Sequence, residues 1–214
     1  MKILEGKRDE IEKIAIEDIA RKIKNILTKK ENVVLGVVGG TSISGILKKF
    51  SKAIVNWNKV HVFMVDERFA PTNDKESNFK IVKENLSSGN LHSFNYKQPV
   101  SYYQKEFNKF GGKFDIIVLS SGEDGHIASL FPNHLSIKNN SDSFIKINKS
   151  PKPPSKRMSA SRKLLEKSDY SVLLFFGENK KEAYKKFSDE KLSIIECPAK
   201  IVKEIKDGLV LVSF

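Results

Sequence analysis

Four short apolar runs rich in β-branched residues constrain this chain most: Val33–Val38, Lys59–Val65, Phe114–Leu119 and Tyr170–Phe176. Each has the length of a buried strand, and each stops at glycine or at a cluster of charges and hydroxyls. Helical patterns fill the intervals. Arg8–Lys30 repeats apolar residues at Ile11, Ile14, Ala15, Ile19, Ile23, Ile26 and Leu27, a 3.6-residue period with charge on the other face. Further helices are expected at Ile43–Ala53 and near Ser77–Leu86, and weaker strands at Phe144–Ile147 and Leu209–Val212. Strands alternating with helices predict an α/β fold: a mostly parallel, Rossmann-like sheet with helices on both faces. No linker-like composition break and no internal repeat divides the 214 residues, so residues 1–214 are expected to form a single domain.

The chain carries 38 Lys+Arg against 26 Asp+Glu, a net charge of +12, which suits an anionic partner. Its lysines are scattered in pairs such as Lys29-Lys30, Lys48-Lys49 and Lys185-Lys186. No basic arm, helix-turn-helix or glycine-aromatic signature accompanies them, which argues against nucleic acid and for solvated faces that mildly attract phosphorylated small molecules. No apolar run approaches a membrane span, and Met1–Glu5 leads into charge rather than a signal-peptide core. A soluble, cytoplasmic protein is expected. The lone Cys197 excludes an intrachain disulfide and a cysteine zinc framework, and reads as a small residue beside Pro198. The four His and one Cys show no paired ligand spacing, so no metal site is expected.

In open α/β sheets ligands bind beyond the carboxyl ends of the strands. Ser120-Ser121-Gly122-Glu123-Asp124-Gly125-His126 stands at such an end, directly after Phe114–Leu119. An imidazole, with an ordinary pKa of about 6.5, is a ready general base near neutrality. Asp124, two positions earlier, can fix its tautomer or stabilise the imidazolium. No Gly-x-Ser-x-Gly elbow is present, which disfavours a serine nucleophile despite Ser121 and Ser129.

Three other strand ends add binding groups. Gly39-Gly40-Thr41-Ser42 can bring backbone N–H groups to an anion at a helix start, although it is neither a Walker loop nor a dinucleotide fingerprint. Asp66-Glu67-Arg68 brings a carboxylate suited to sugar hydroxyls and a guanidinium suited to phosphate or carboxylate. Lys180 follows Gly177, behind the last long run. Apart from these, Ser150-Pro151-Lys152-Pro153-Pro154-Ser155-Lys156-Arg157 has a stiff, extended course with a helix expected close behind, and can hold Lys152 and Arg157 rigidly.

In this order, the Gly-Gly-Thr loop, Asp66-Glu67-Arg68 with Ser77-Asn78, Asp124-Gly125-His126 running into Ser129-Leu130-Phe131-Pro132, and the Pro-rich segment with Arg157 resemble the 6-phosphogluconolactonase family, within the glucosamine-6-phosphate isomerase and lactonase fold. The resemblance runs from about Val33 to Lys181. It implies hydrolysis of 6-phospho-D-glucono-1,5-lactone to 6-phosphogluconate in the pentose phosphate pathway, without metal or organic cofactor. In that scheme His126 is the general base, Asp124 its orienter and Arg68 a group near the developing negative charge. Gly39, Gly40, Thr41, Asp66, Lys152, Arg157 and Lys180 form the phosphate- and sugar-binding wall. Val38 before the glycine pair, Ser120-Ser121 before the His loop and the short chain depart from the family pattern. Two rivals are weighed. A deaminase would carry a Glu in the loop after the histidine, where this chain has Ser129-Leu130-Phe131-Pro132; a non-enzymatic sugar-phosphate sensor would couple the fold to a DNA-binding segment. The oligomeric state is left open by the sequence, with a monomer favoured.

Overall fold

The computed structural model describes residues 1–214. In chain order its elements are β1 (Lys2–Glu5), α1 (Arg8–Leu27), β2 (Val33–Val37), α2 (Thr41–Phe50), β3 (Val60–Met64), β4 (Asp66–Arg68), α3 (Asn78–Asn85), β5 (Asn90–His92), α4 (Val100–Asn108), β6 (Ile116–Ser120), β7 (Phe144–Ile147), β8 (Arg157–Ala160), α5 (Arg162–Glu166), β9 (Tyr170–Phe176), α6 (Lys181–Ser188) and β10 (Gly208–Ser213).

Seven strands form one sheet in the order β1-β10-β9-β6-β2-β3-β5, with every neighbouring pair parallel. Strands β2 and β9 are buried along their whole length, as their unbroken apolar runs require. From β2 the chain steps out to β3 and β5, then returns to the opposite side of β2 for β6 and continues through β9 to β10. Right-handed crossovers stepping in opposite directions leave helices on opposite faces. The gap between β2 and β6 is therefore the topological switch point, where the following loops diverge and open a crevice.

The covering helices follow their patterns. On α1 the buried stripe is Ile11, Ala15, Ile19 and Ile23, joined by Glu12, whose carboxylate takes Arg8 at 2.8 Å and Lys49 at 2.6 Å. That helix ends at Leu27, three residues short of the expected Lys30. Helix α2 starts at Thr41, earlier than expected, because Gly40 turns the chain at φ +105°, a conformation that glycine adopts without cost. The apolar core is one continuous cluster of 54 buried residues.

A second sheet departs from the sequence expectation. Asp66-Glu67-Arg68 is not the tail of the preceding strand. After Val65, whose N–H still donates to Val37 O, the chain leaves the parallel sheet, and β4 pairs antiparallel with β8, which pairs in turn with β7. A strand, rather than the expected helix, thus follows the Pro-rich segment directly, and α5 begins only at Arg162. This register sets Asp66 opposite Ser159 and Arg68 opposite Arg157, joining two distant candidate segments on one wall.

Candidate active site

The loop after β6 is built around its histidine. Gly122 N–H donates to His126 O at 2.8 Å and Gly125 N–H to Gly122 O at 3.1 Å, closing a tight turn. Gly125 sits at φ +92°, and a Cβ there would lie 3.0 Å from Cys197 Sγ, so Cys197 packs beneath the loop as a small apolar residue. His126 Nδ1 is 2.5 Å from Asp124 Oδ1, and the same oxygen accepts the His126 backbone N–H at 3.3 Å. Burial works to raise the Asp124 carboxyl. The hydrogen bond and charge of His126, with Lys152 Nζ at 3.4 Å, outweigh it and hold Asp124 well below the usual carboxylate range. An ionised Asp124 makes Nδ1 the protonated nitrogen and leaves Nε2 with its lone pair. Phe131 backs the imidazole at 4.6 Å between ring centres, and the Arg157 guanidinium lies 5.4 Å from the same ring.

His126 lines a cleft of about 260 Å³ at the switch point, together with Gly39, Gly40, Thr41, Asp66, Arg68, Lys152, Arg157 and Lys180. Every candidate residue read from the sequence thus borders one cavity except Asp124, which stands behind the imidazole. Four cationic side chains (Arg68, Lys152, Arg157, Lys180) face two carboxylates (Asp66, Glu123) across it, an interior suited to an anion that also carries hydroxyls. Burial, and then Lys152, lower the Lys180 ammonium against the opposing pull of Glu123 and Asp124.

Neither Asp66 nor Glu67 forms a surface ion pair; both are buried. Asp66 accepts the Ser129 hydroxyl at 2.7 Å and the Asn78 amide at 3.1 Å. Glu67 accepts the backbone N–H groups of Asn78 (2.8 Å) and Phe79 (2.7 Å), clamping the start of α3 against β4. Burial pushes the Glu67 carboxyl up, although these N–H bonds favour its ionised form. Arg68 donates one Nη1–H to Glu76 O at 2.5 Å, while its buried Nε has no partner. Arg157 is more tied down than the sequence suggests: Nε donates to Pro154 O (3.0 Å), Nη2 to Pro153 O (2.8 Å) and Lys152 O (3.2 Å), and Nη1 to Ser129 Oγ (3.4 Å). Asn78, Ser121 and Glu123 also line the cleft, and sequence reasoning did not single them out as ligands. Asn78 gets there through the Glu67 clamp, which no periodicity announces. No group of three or more His, Cys, Asp or Glu side chains is arranged to hold a metal ion.

The family model for glucosamine-6-phosphate isomerases/6-phosphogluconolactonase matches residues 6–211. The chain belongs to this family. A 6-phosphogluconolactonase of Borreliella burgdorferi is 38% identical over 192 residues, covering 83% of this chain and 82% of that protein. One from Thermotoga maritima is 29% identical over 175 residues, 77% of this chain and 79% of the relative. The crystal structure of a Thermotoga maritima 6-phosphogluconolactonase superposes with a TM-score of 0.82 at 26% identity, covering 99% of both chains. That of a Shewanella baltica 6-phosphogluconolactonase gives 0.86 at 19% identity over 99% of this chain and 98% of the other, a likeness of fold. These family members carry the name of the lactonase branch rather than the isomerase branch, and they support hydrolysis of 6-phosphogluconolactone as the reaction.

Proposed function

We propose that this chain hydrolyses 6-phospho-D-glucono-1,5-lactone to 6-phosphogluconate in the pentose phosphate pathway, with His126 as general base. The observation that carries this reading is the Asp124–His126 pair at 2.5 Å on the wall of a cation-rich cleft. Nε2 takes a proton from water as its oxygen adds to the lactone carbonyl. The tetrahedral oxyanion that forms is met by Arg68, whose guanidinium lines the cleft and gives only one Nη1–H within the protein, to Glu76 O. As the bond from C1 to the ring oxygen breaks, the proton on Nε2 passes to that oxygen, and His126 returns to its starting state.

The cationic side chains Lys152 and Lys180, with the backbone at Gly39, Gly40 and Thr41 where α2 begins, form the phosphate end. Arg157 braces it, and Asp66 faces the sugar. We read residues 1–214 as one lactonase domain working as a cytoplasmic monomer, since the family model spans residues 6–211 and every group that the reaction uses comes from this chain.

The test is a neutral-pH assay of 6-phosphogluconate release, corrected for spontaneous lactone opening. His126→Asn should keep the fold and lose on the order of 10²- to 10⁴-fold in kcat. Full activity in that variant, or ammonia release from glucosamine 6-phosphate by the wild type, overturns the reading.

A further inference from the structure

Arg8 opens α1, outside the cleft, and its guanidinium reaches two elements of the cleft wall. Nε donates to Glu12 Oε1 at 2.8 Å, Nη2 donates to Ser42 O at 2.8 Å, and the guanidinium carbon lies 4.6 Å from the centre of the Phe176 ring. Glu12 is 1% exposed and its other oxygen takes Lys49 Nζ at 2.6 Å, so the carboxylate that holds Arg8 is itself fixed between α1 and α2. Ser42 stands in the first turn of α2 and lines the cleft. Phe176 ends β9, and Lys180, which follows with its N–H on Gly177 O at 2.9 Å, lines the cleft too. One side chain thus touches both the helix start behind Gly39-Gly40-Thr41 and the strand end that carries Lys180. Gly45 makes the room: a Cβ there would lie 3.0 Å from Arg8 Nη2 and 3.4 Å from Glu12 Oε1. Glycine inside a helix is unfavourable, so α2 gives up helix stability to seat the guanidinium. A cation beside the first turn of a helix also works against the helix dipole, so the stability of α2 does not call for Arg8 there.

We propose that Arg8 is a positioning residue for the phosphate end: it sets the first turn of α2 against the end of β9, so that the backbone N–H groups of the Gly39–Thr41 loop and the Lys180 ammonium converge on one phosphate. This inference rests on the lactonase reading and on its placement of the phosphate. Anion-binding groups on separate elements reinforce one another only when their spacing is held before the ligand arrives. The sheet alone does not hold it. β6 lies between β9 and β2, so no ladder hydrogen bond ties the end of β9 to the loop that follows β2. Arg8 spans that gap. A planar guanidinium suits the task, because it donates in two directions while its face rests on an aromatic ring, which an ammonium cannot do.

The experiment measures the Kd of inorganic phosphate by titration calorimetry, and KM and kcat on the phosphorylated lactone, for wild type, Arg8→Ala, Arg8→Lys and Gly45→Ala. In Arg8→Ala the phosphate Kd and KM are expected to rise together by about 10-fold while kcat falls far less, the signature of lost positioning remote from the reacting carbonyl. Arg8→Lys keeps the charge without the fork and should behave as the alanine variant does. Recovery by lysine overturns the proposal in favour of charge alone. Gly45→Ala pushes the guanidinium off Ser42 O while favouring the helix, so phosphate binding should weaken by about 3-fold or more with a melting temperature no lower than wild type. That variant reads the same effect if Arg8→Ala does not fold. An unchanged phosphate Kd in either variant overturns the proposal and leaves Arg8 a tether of α1. Phosphate binding by a wild type that hydrolyses no lactone overturns the lactonase reading instead, and the comparison of Kd values still decides the role of Arg8.

Discussion

The imidazole of His126 lies across the Cα of Gly122, so closely that a Cβ on residue 122 would sit 2.0 Å from Cε1 and 2.1 Å from Nδ1. The absence of a side chain at 122 is thus part of how the base is positioned. Gly122→Ala would force the ring off Asp124 while leaving strand β6 and its ladder intact. The expected outcome is a native melting curve with kcat reduced on the order of 10²-fold, the cost of a misplaced general base. Adding Gly122→Ala to His126→Asn should cost nothing further. An additional loss in the double variant would show that Gly122 serves the site by another route.

Asp124 is held below the usual carboxylate range by His126 and Lys152, despite burial, so it stays ionised throughout the acid limb of the rate profile. Protonation of Asp124 is therefore not what limits activity in mild acid. Asp124→Asn should lower kcat by about 10²- to 10⁴-fold, as expected when the tautomer is no longer enforced, with KM little changed. Steady-state constants of both proteins check this; a kcat unchanged by the substitution would remove Asp124 from the catalytic pair.

A pair of imidazoles lies outside the cleft. His61 Nδ1 is 3.0 Å from Nε2 of His92, and Nδ1 of His92 meets Glu106 Oε1 at 2.6 Å; the His61 ring packs on Phe110 at 3.9 Å between centres, tilted by 31°. Burial, and then the charge of His92, lower the His61 pKa. A depressed histidine pKa means that the unfolded chain binds the proton first. Stability is then full above about pH 6.5 and is lost as pH falls from there toward the lowered native value. Melting temperature should drop between about pH 7 and about pH 5, and less steeply in His61→Leu. Parallel curves for the two proteins would clear His61 of this role.

The parallel sheet was legible because its central strands, buried on both sides, are written as unbroken apolar runs, and the four strand-end loops then had to meet at one edge. Edge strands were not. β1 is mostly exposed and the three residues of β5 are one exposed and two half-buried, so neither carries an apolar run. The antiparallel sheet was hidden for a different reason: β4 and β8 are only three and four residues long and owe their pairing to contacts some ninety positions apart. The working of Asn78 was hidden as well, although Glu67 and Asp66 lie only 11 and 12 positions before it, because no periodicity announces that β4 folds back onto the start of α3. Asp124 and His126 needed no long-range contact, being two residues apart in one turn.

Arg157 is the candidate whose role the structure changes most. Three of its four hydrogen bonds end on the carbonyls of Lys152, Pro153 and Pro154, and the loop they hold brings Lys152 Nζ to 3.4 Å from Asp124. The guanidinium therefore acts in large part through Lys152. Arg157→Ala should raise KM by about 10- to 100-fold, the scale of losing several charge-assisted hydrogen bonds, and lower kcat as well because the same loop faces the Asp124–His126 pair. Arg157→Lys should not rescue it, since an ammonium lacks the planar fork that spans three carbonyls. Lys152→Ala combined with Arg157→Ala should be little worse than Arg157→Ala alone, because both remove the same placed cation. Steady-state constants for the two single variants and the double variant decide it: fully additive losses would mean that Arg157 grips the substrate independently of the loop.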